Sequence, residues 1–379
     1  MSTPFAGQFG IYLHYPYCTN RCGYCEFATV SDADFPHQAY ADWVLEELER
    51  RAVDFQRFAL RALYLGGGTP SLWPAEQIAR VVTGCLGRFS LAAEVEVTIE
   101  ANPNTITSVD TLRALRESGI NRLSIGTQSF DDRTLIQLTR VHDAATNRQA
   151  IEAAAAAGID NVSCDLIVGS NGQTVEHYLA QIEALLAHRP RHVSTYGLTL
   201  SRGSALYRAG QRPAEHDLMA ELLDVGAQRL TAAGYQHYEV SNFALPGFRS
   251  QHNALVWAYR PYLGLGASAH SMVVDVTGER YRQINPPFSV YRQGKDNARR
   301  EVLTHQTASY EAMMLGLRTS DGVSRTAFFE AFGCDPTERF APKLEPLVAA
   351  ELLQIDERAI RPTARGLWFA DEVAVRLLG

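Results

Sequence analysis

The stretch that decides the fold is HYPYCTNRCGYCEF, residues 14–27. Its cysteines, Cys18, Cys22 and Cys25, stand at C-x3-C-x2-C spacing, and no fourth cysteine lies nearby. A structural zinc site needs four ligands, so zinc would require a further residue such as His14. A [4Fe-4S] cluster can place three cysteines on three of its irons and leave the fourth iron open. The spacing therefore favours an iron-sulfur cluster, with zinc as the alternative.

The composition is that of a globular protein and excludes several classes. The chain has 379 residues, of which 46% are hydrophobic and 20% charged. A formal net charge of -7 gives no general excess of Lys and Arg, so we expect no nucleic-acid binding. We expect neither a membrane span nor a signal peptide. Cys85, Cys164 and Cys334 are scattered and expected to be buried free thiols, which places the chain in the reducing cytoplasm.

Strand and helix signals alternate from residue 10 to about residue 200. The strand-like runs are GIYLHY, ALYLGG, EVEVTIEA, RLSIGTQ, NVSCDLIVG and HVSTYGLTL. The helical stretches are Ala39 to Phe55, Ala75 to Phe89, Val109 to Ser118, Asn147 to Ala157 and Val175 to Leu186. This alternation predicts parallel strands with crossover helices. Six such units predict a partial (β/α)6 barrel of the α/β class, with a doubly wound open sheet as the competing arrangement.

Polar residues follow one face of several strands. In EVEVTIE the residues Glu96, Thr98 and Glu100 alternate with apolar ones, and Gln128 and Asp165 have similar positions in later strands. A parallel strand buried on both faces normally reads as a continuous apolar run. We therefore expect the polar face to line a ligand-filled interior near the carboxyl ends of the strands, which favours the barrel.

We divide the chain into three parts. Residues 1–240 form the predicted barrel core, and residues 241–300 form an aromatic- and Gly-rich segment. Residues 301–379 show a helix, a short hairpin and a helix, which predicts a winged-helix-like α+β module. This module carries no strong basic stripe, so we interpret it as a packing or interaction module rather than a DNA-binding one.

The cysteine loop after a first strand resembles that of the radical S-adenosylmethionine (SAM) superfamily. YLGGGTPSL, EANPNT, NRLSIGTQSFDD, YEVSNFALPG and YLGLGASAHS extend the resemblance along the chain. They are similar to the group that contains oxygen-independent coproporphyrinogen III oxidase and the HemW-type heme chaperones. The resemblance implies a [4Fe-4S] cluster on Cys18, Cys22 and Cys25, with SAM on the open iron. It also implies an electron donor such as a flavodoxin or ferredoxin, whose electron would cleave SAM to a 5′-deoxyadenosyl radical.

The same resemblance implies a set of SAM-binding residues. The glycine motif takes the methionine amino group, Arg140 suits the methionine carboxylate, and carboxylates suit ribose hydroxyls. The whole set is Tyr12, Tyr24, Gly67, Gly68, Thr69, Glu100, Gln128, Arg140, Asp165 and Gly197. From the residues alone, each polar member could instead make a structural hydrogen bond. Thr139 departs from the group, which has a glycine before the arginine.

Two features separate the oxidase from the chaperones. The oxidase has a further cysteine at the position of Phe27, and it has a long arm where this chain has 17 residues before Cys18. Both features favour the chaperones, and the resemblance then implies heme and a heme-acceptor protein, with peripheral membrane contact through that acceptor. An oxidase-like enzyme and a divergent radical-SAM methyltransferase or cyclopropanase stay open as alternatives.

HNALVW, residues 252–257, resembles the H-N-x-x-Y-W motif of the chaperones, with Val256 in place of tyrosine. The resemblance implies heme binding by His252, Asn253 and Trp257, and histidine is a common axial ligand of heme iron. On the residues alone, a packed and hydrogen-bonded histidine is the alternative.

Overall fold

The first half of the chain follows the predicted alternation. The computed structural model describes residues 5–294 and 297–378. The strands of this half are β1 (Gln8–Tyr15), β2 (Ala59–Gly67), β3 (Leu91–Ala101), β4 (Arg122–Gln128), β5 (Val162–Val168) and β6 (His192–Gly197). Its helices are α1 (His37–Arg51), α2 (Ala75–Arg88), α3 (Val109–Glu117), α4 (Asp132–Gln137), α5 (Ala144–Ala156), α6 (Val175–Leu186), α7 (Ala205–Arg208) and α8 (His216–Ala232). Short 3-10 turns cover Ala52–Phe55, Pro70–Leu72 and Pro103–Thr105.

Strands β1 to β6 are parallel neighbours in sequence order. A doubly wound sheet would reverse its strand order at a switch point, and this run does not. The apolar face of the strands, including Val97 and Ile99, is buried in the main core with the helices. The predicted α/β fold with a largely parallel sheet is confirmed.

Further strands extend this sheet at both edges. Beside β6 lies the hairpin of β7 (Gln236–Glu239) and β8 (Asn242–Ala244). On the other side β9 (Tyr262–Leu265) runs parallel to β1 and is followed by β10 (His270–Val274), β11 (Arg280–Ile284) and β12 (Arg299–Leu303). The helices here are α9 (Gln251–Trp257) and α10 (Phe288–Tyr291). The segment predicted at residues 241–300 thus adds strands to the sheet that carries the first six. The predicted domain boundaries at residues 240 and 300 stay predictions.

The C-terminal module has a core of its own, from Leu303 to Leu377. Its helices are α11 (His305–Gly316), α12 (Arg325–Phe332), α13 (Pro336–Arg339), α14 (Ala341–Ala349), α15 (Ala364–Trp368) and α16 (Ala370–Leu378). Its strands are β13 (Val323–Ser324), β14 (Leu353–Ile355) and β15 (Ala359–Pro362), which pair antiparallel. The backbone joins it to the sheet, because Val240 N donates to Arg318 O at 3.1 Å and Ser320 N to Tyr238 O at 2.9 Å.

The scattered cysteines are not all buried. Cys85 on α2 and Cys164 on β5 are fully buried, as expected. Cys334 is only partly buried, so the prediction was wrong there. It follows Gly333, which ends α12 in the left-handed conformation, and lies in the turn before α13. Among the helices of the described residues, none combines the length and apolarity that crossing a membrane requires.

Candidate functional site

A cavity of about 500 Å³ lies at the carboxyl ends of the parallel strands. The predicted residues that line it are Cys18, Cys22, Tyr24, Cys25, Gly67, Gly68, Thr69, Glu100, Gln128, Arg140, Asp165 and Gly197. Because strands β2 to β6 all contribute, their polar faces converge on one interior, as the alternation of the sequence predicts. The predicted residues outside the lining are Tyr12, His252, Asn253 and Trp257.

The cysteine loop follows β1 and folds over one side of this cavity. Cys25 N donates to Cys22 O at 3.0 Å, which closes a tight turn, and the Arg21 guanidinium donates twice to Cys25 O, at 3.0 and 3.2 Å. Cys18 Sγ lies 3.3 Å from Thr69 Oγ1, and Arg140 donates to Cys22 Sγ at 3.1 Å. Burial raises the pKa of the Cys18 and Cys25 thiols. A metal that binds these sulfurs would compensate this cost because thiolate is the ligand form.

The donor set fits a cluster better than a single zinc ion. His14 is not available as a fourth ligand, because its Nε2 lies 2.9 Å from Ala28 O and its Nδ1 lies 3.0 Å from Tyr12 OH. In residues 5–294 and 297–378, no three His, Cys, Asp or Glu side chains converge as ligands of one ion. A cubane instead takes each thiolate on a separate iron. When bound by Cys18, Cys22 and Cys25, it would supply one electron and an open iron position.

The glycine motif brings β2 against the cysteine loop. A Cβ at Gly68 would lie 2.5 Å from Tyr17 O and 2.8 Å from Pro16 O, so a side chain cannot be accommodated there. Gly67 adopts φ +110°, a conformation that favours glycine. The N–H groups of this turn are already used, because Gly67 N donates to Glu100, Gly68 N to Tyr15 O and Thr69 N to Tyr17 O. The motif can therefore offer an ammonium group its carbonyl oxygens.

Two partly buried carboxylates also line the cavity, and Glu100 lies directly against the glycine turn. Glu100 accepts from Tyr64 OH at 2.9 Å and from Gly67 N at 3.0 Å, and burial raises its pKa to about 7. Burial also raises the pKa of Asp165 to about 6, and Asp165 Oδ1 has no hydrogen-bond partner. An unpaired buried acceptor that lines a cavity is costly without a ligand. Both groups suit the hydroxyls of a ribose or the charge of a sulfonium.

Arg140 is held between the cysteine loop and the strand ends. One Nη donates to Cys22 Sγ, while the other donates to Asn102 Oδ1 at 2.5 Å and to Gly126 O at 3.1 Å. Its Nε is buried without a partner. Both Nη groups are engaged, so Nε is the donor left for a ligand carboxylate. A bidentate pair would require the carboxylate to displace one of the partners of the Nη groups.

Thr139 occupies a backbone conformation that explains the glycine of the resembling group. Its φ is +56°, where a β-branched residue is strained. The cost of such a conformation is on the order of 1–3 kcal/mol. In return, Thr139 Oγ1 accepts from Gly23 N at 2.6 Å and so ties the turn before Arg140 to the cysteine loop. Threonine in place of glycine at position 139 therefore gives up backbone freedom and gains a direct hydrogen bond to the cysteine loop.

The aromatic residues of the cysteine loop divide into two groups. Tyr24 and Phe27 line the cavity, and Phe27 is 61% exposed. Tyr15 and Tyr17 do not line the cavity. They belong to an aromatic cluster on the helix-covered face of β1, where the ring centroids of Tyr15 and Trp73 lie 4.8 Å apart. The alternation along β1 turns Tyr15 away from the interior.

The lining residues outside the predicted set include Tyr64, Asn102 and Tyr196. Asn102 belongs to EANPNT, a motif that carried the resemblance, and its Nδ2 donates to Thr69 Oγ1 at 3.2 Å. Tyr196 shares the polar face of HVSTYGL, so the alternation of the strand could have predicted that it lines the cavity. Tyr64 lies in the run ALYLGG, whose other residues are apolar, and nothing in the local pattern marks it as part of the site.

His252 lies at the other end of the barrel. It lies in the first turn of α9, which contacts β1 and β2 near their amino ends, where a Cβ on Gly10 would lie 3.5 Å from His252 Nδ1. The residue is 9% exposed, and its ring packs 4.9 Å from that of Tyr64 and 6.0 Å from that of Tyr12. Burial lowers its pKa to about 4, which keeps the imidazole neutral, and Nδ1 has no hydrogen-bond partner.

The other two motif residues of α9 make a backbone cap contact and a ring contact. Asn253 N donates to Ser250 Oγ, which caps the helix. Trp257 lies beneath the Arg318 guanidinium, 6.0 Å from the ring centroid. This contact joins α9 to the C-terminal module. The three residues predicted to bind heme, His252, Asn253 and Trp257, thus lie between the floor of the barrel and the C-terminal module.

The parallel barrel and the three-cysteine cavity define a radical SAM protein. Residues 12–185 match the family model of the Radical SAM superfamily, and residues 303–369 match that of the HemN C-terminal domain. The chain belongs to the HemW family of radical SAM proteins. It is 32% identical to a heme chaperone HemW of Lactococcus lactis over 97% of this chain and 96% of that protein.

Other relatives are also similar along most of the chain. A heme chaperone HemW of Escherichia coli is 31% identical over 89% of this chain and 90% of its own length. The mitochondrial radical S-adenosyl methionine domain-containing protein 1 of Mus musculus is 34% identical, with 97% and 87% coverage. The solved structure of coproporphyrinogen III oxidase (HemN) from Escherichia coli has a TM-score of 0.81 at 23% identity, and covers 98% of this chain and 90% of that one. That likeness establishes the fold. Membership of the superfamily implies a [4Fe-4S] cluster and SAM as cofactors.

The buried Glu100 carboxyl predicts a pH dependence of stability. Its pKa rises from an ordinary 4.5 to about 7 on folding, so the folded state binds this proton more tightly than the unfolded state. We expect the free energy of unfolding of the ligand-free protein to fall as pH rises through that window. Urea unfolding at about pH 5 and pH 8 measures the change, and Glu100→Gln is expected to reduce it. An equal slope in the variant would contradict this assignment.

Proposed function

We propose that this chain is a heme chaperone that carries a [4Fe-4S] cluster and SAM and delivers heme to an acceptor protein. The observation that carries the proposal is likeness along nearly the whole chain to proteins named as heme chaperones, combined with Phe27 at the rim of the cluster cavity. A cysteine at that position would mark the oxidase of the same group. The expected setting is the cytoplasm, with a flavodoxin- or ferredoxin-like electron donor and contact with a membrane only through the acceptor.

The site geometry supports the cofactor part of this proposal. The three cysteines, the glycine turn and the buried carboxylates surround one cavity, as SAM bound to an open iron requires. We infer that Cys18, Cys22 and Cys25 hold the cluster, and that Glu100 and Asp165 face the ligand beside it. Gln128, at φ +61°, ends β4 in a conformation that is rare for a non-glycine residue. Such backbone conformations cluster at functional sites.

Heme transfer by the cluster-loaded protein tests the function. We expect purified chain, loaded anaerobically, to bind about one hemin and to pass it to a heme-free acceptor protein, followed by the change in Soret absorbance. Coproporphyrinogen III in the presence of SAM and reductant is expected to stay unconverted. Conversion of coproporphyrinogen with release of 5′-deoxyadenosine would instead support the oxidase-like enzyme. Methylation of an added acceptor would support a methyltransferase, and a chain that binds no hemin would end the chaperone proposal.

A further inference from the structure

Residues 198–214, which we call the strap, connect β6 to α8 and cross the cysteine loop. Leu206 N in the strap donates to Gly23 O at 3.0 Å. A Cβ on Gly23 would lie 2.9 Å from Leu206 Cγ, so the strap and the loop are in close contact. Because Gly23 lies between Cys22 and Cys25 in the sequence, the strap covers the part of the loop that carries the predicted cluster ligands.

The strap has an apolar inner side and a basic outer side. Leu198 and Leu206 are buried, and Leu198 belongs to a small apolar cluster against which Tyr24 of the cysteine loop packs. The three arginines of the strap are all exposed: Arg202, Arg208 and Arg212. Residues 198–214 contain no acidic residue, although the whole chain has a formal net charge of -7. Positive charge is thus concentrated beside the cysteine loop.

The charges of the cysteine loop leave this excess in place. Residues 15–30 contribute one arginine, Arg21, and one acidic residue, Glu26, and both are exposed. Glu26 Oε1 accepts from Ser201 N at 3.2 Å, which makes a second contact between the loop and the strap. Acidic residues resume at Glu215, where α8 begins. Since Arg21 and Glu26 offset each other, the surface keeps the three positive charges of the strap.

Exposed apolar side chains accompany these charges. Phe27 is 61% exposed, Ile136 is 74% exposed and Val141 is 55% exposed. In the sequence, Ile136 and Val141 flank Thr139, whose Oγ1 accepts from Gly23 N at 2.6 Å. The same loop is therefore bordered by basic and by apolar groups. Exposed apolar groups with charges around them are typical of a surface that another protein covers.

We propose that the strap and the cysteine loop form the docking surface for the electron donor, a small acidic protein with a one-electron redox centre. The inference rests on the proposed function, because only a chain that carries the cluster needs this electron. One electron would pass from the reduced donor to the cluster, with no bond formed or broken. Electron transfer requires the two redox centres to approach closely, and this surface covers the predicted cluster ligands. A basic surface steers a negatively charged donor and raises its association rate.

Charge reversal on the strap tests the proposal. The probe is a flavodoxin of net negative charge, and its oxidised form is titrated onto the immobilised full-length chain to measure docking itself. In a second measurement, reduced flavodoxin is mixed anaerobically with the cluster-loaded chain, and flavin absorbance gives the rate of electron transfer. We expect Arg202→Glu combined with Arg208→Glu to weaken docking and to lower the rate by about tenfold at low salt. The difference should shrink at about 0.5 M salt, because salt screens exposed charges.

A charge-matched control is Arg50→Glu combined with Arg358→Glu, because both arginines are exposed and lie on α1 and on the C-terminal module. We expect this control to dock and to be reduced within twofold of the unaltered chain. Dithionite is a small reductant that needs no protein surface, and it should reduce both variants within twofold of the unaltered chain.

Two results would overturn the docking surface while leaving the chaperone function intact. One is equal docking and equal rates for the strap variant and the control variant. The other is an unaltered chain that dithionite reduces but that flavodoxin neither binds nor reduces. Iron content and hemin binding are measured on the same protein. Failure of the unaltered chain to hold a cluster or to bind hemin would count against the proposed function itself.

Discussion

Alanine in place of Cys18, Cys22 or Cys25 is expected to abolish the brown chromophore of the reconstituted protein. Each thiolate would hold a separate iron, and in the described residues no neighbouring His, Cys, Asp or Glu completes a set of ligands for one ion. The loss of one ligand therefore has no local substitute. Visible absorbance and iron and sulfide analysis after anaerobic reconstitution measure the effect, which we expect to be close to complete.

The remaining cysteines provide the control. Cys85→Ala, Cys164→Ala and Cys334→Ala remove thiols that lie on α2, on β5 and after α12, away from the cavity lining. We expect all three variants to keep the chromophore. Removal of a buried thiol from Cys85 or Cys164 is expected to cost stability, on the order of 1–2 kcal/mol, because it leaves a small cavity. A chromophore that persists in Cys22→Ala would refute the ligand assignment.

Gly68→Ala is expected to eliminate SAM binding, with a loss of at least about 100-fold in affinity. The added Cβ would lie 2.5 Å from Tyr17 O and 2.8 Å from Pro16 O, and both are backbone atoms that cannot rotate away. The turn or the cysteine loop must therefore move, and the two carry the predicted SAM and cluster ligands. Equilibrium dialysis with labelled SAM measures the affinity, and iron content shows whether the cluster is lost as well.

Gly87→Ala is the matched control, because Gly87 lies on α2 and a Cβ there would meet no atom within 4 Å. Alanine is a better helix former than glycine by roughly 0.5–1 kcal/mol, so this variant should bind SAM normally and unfold at slightly higher denaturant. If Gly68→Ala bound SAM as well as Gly87→Ala, the close approach of the glycine turn would have no role in the site.

Much of the fold could be predicted because the strands carry their burial pattern in the sequence. Glu100 and Asp165 alternate with apolar neighbours, Gln128 follows the apolar and polar alternation of RLSIG, and parallel strands bring their carboxyl ends to one edge. Those two facts suffice to converge the residues on one cavity, where the structure places them. The cysteine spacing then predicted the iron-sulfur cluster, because three thiols on a short loop are compatible with few other kinds of metal site.

The remainder depends on contacts between distant segments. The partners of Arg140 include Asn102, 38 residues away, and Cys22, 118 residues away, which no local pattern specifies. The motif that begins at His252 predicted heme ligation, but its position in the floor follows from how α9 packs on β1 and β2. Short motifs identify residue types, whereas exposure and access are decided by tertiary packing.

The central claim is that three cysteines of this chain hold a cubane whose fourth iron is open to SAM. The most direct measurement is electron paramagnetic resonance of the anaerobically reconstituted and reduced protein, recorded with and without SAM, together with iron and sulfide content. We predict about four irons and four sulfides per chain and a signal that shifts when SAM is added. One zinc per chain without sulfide, or a cluster signal that SAM leaves unchanged, would contradict the account.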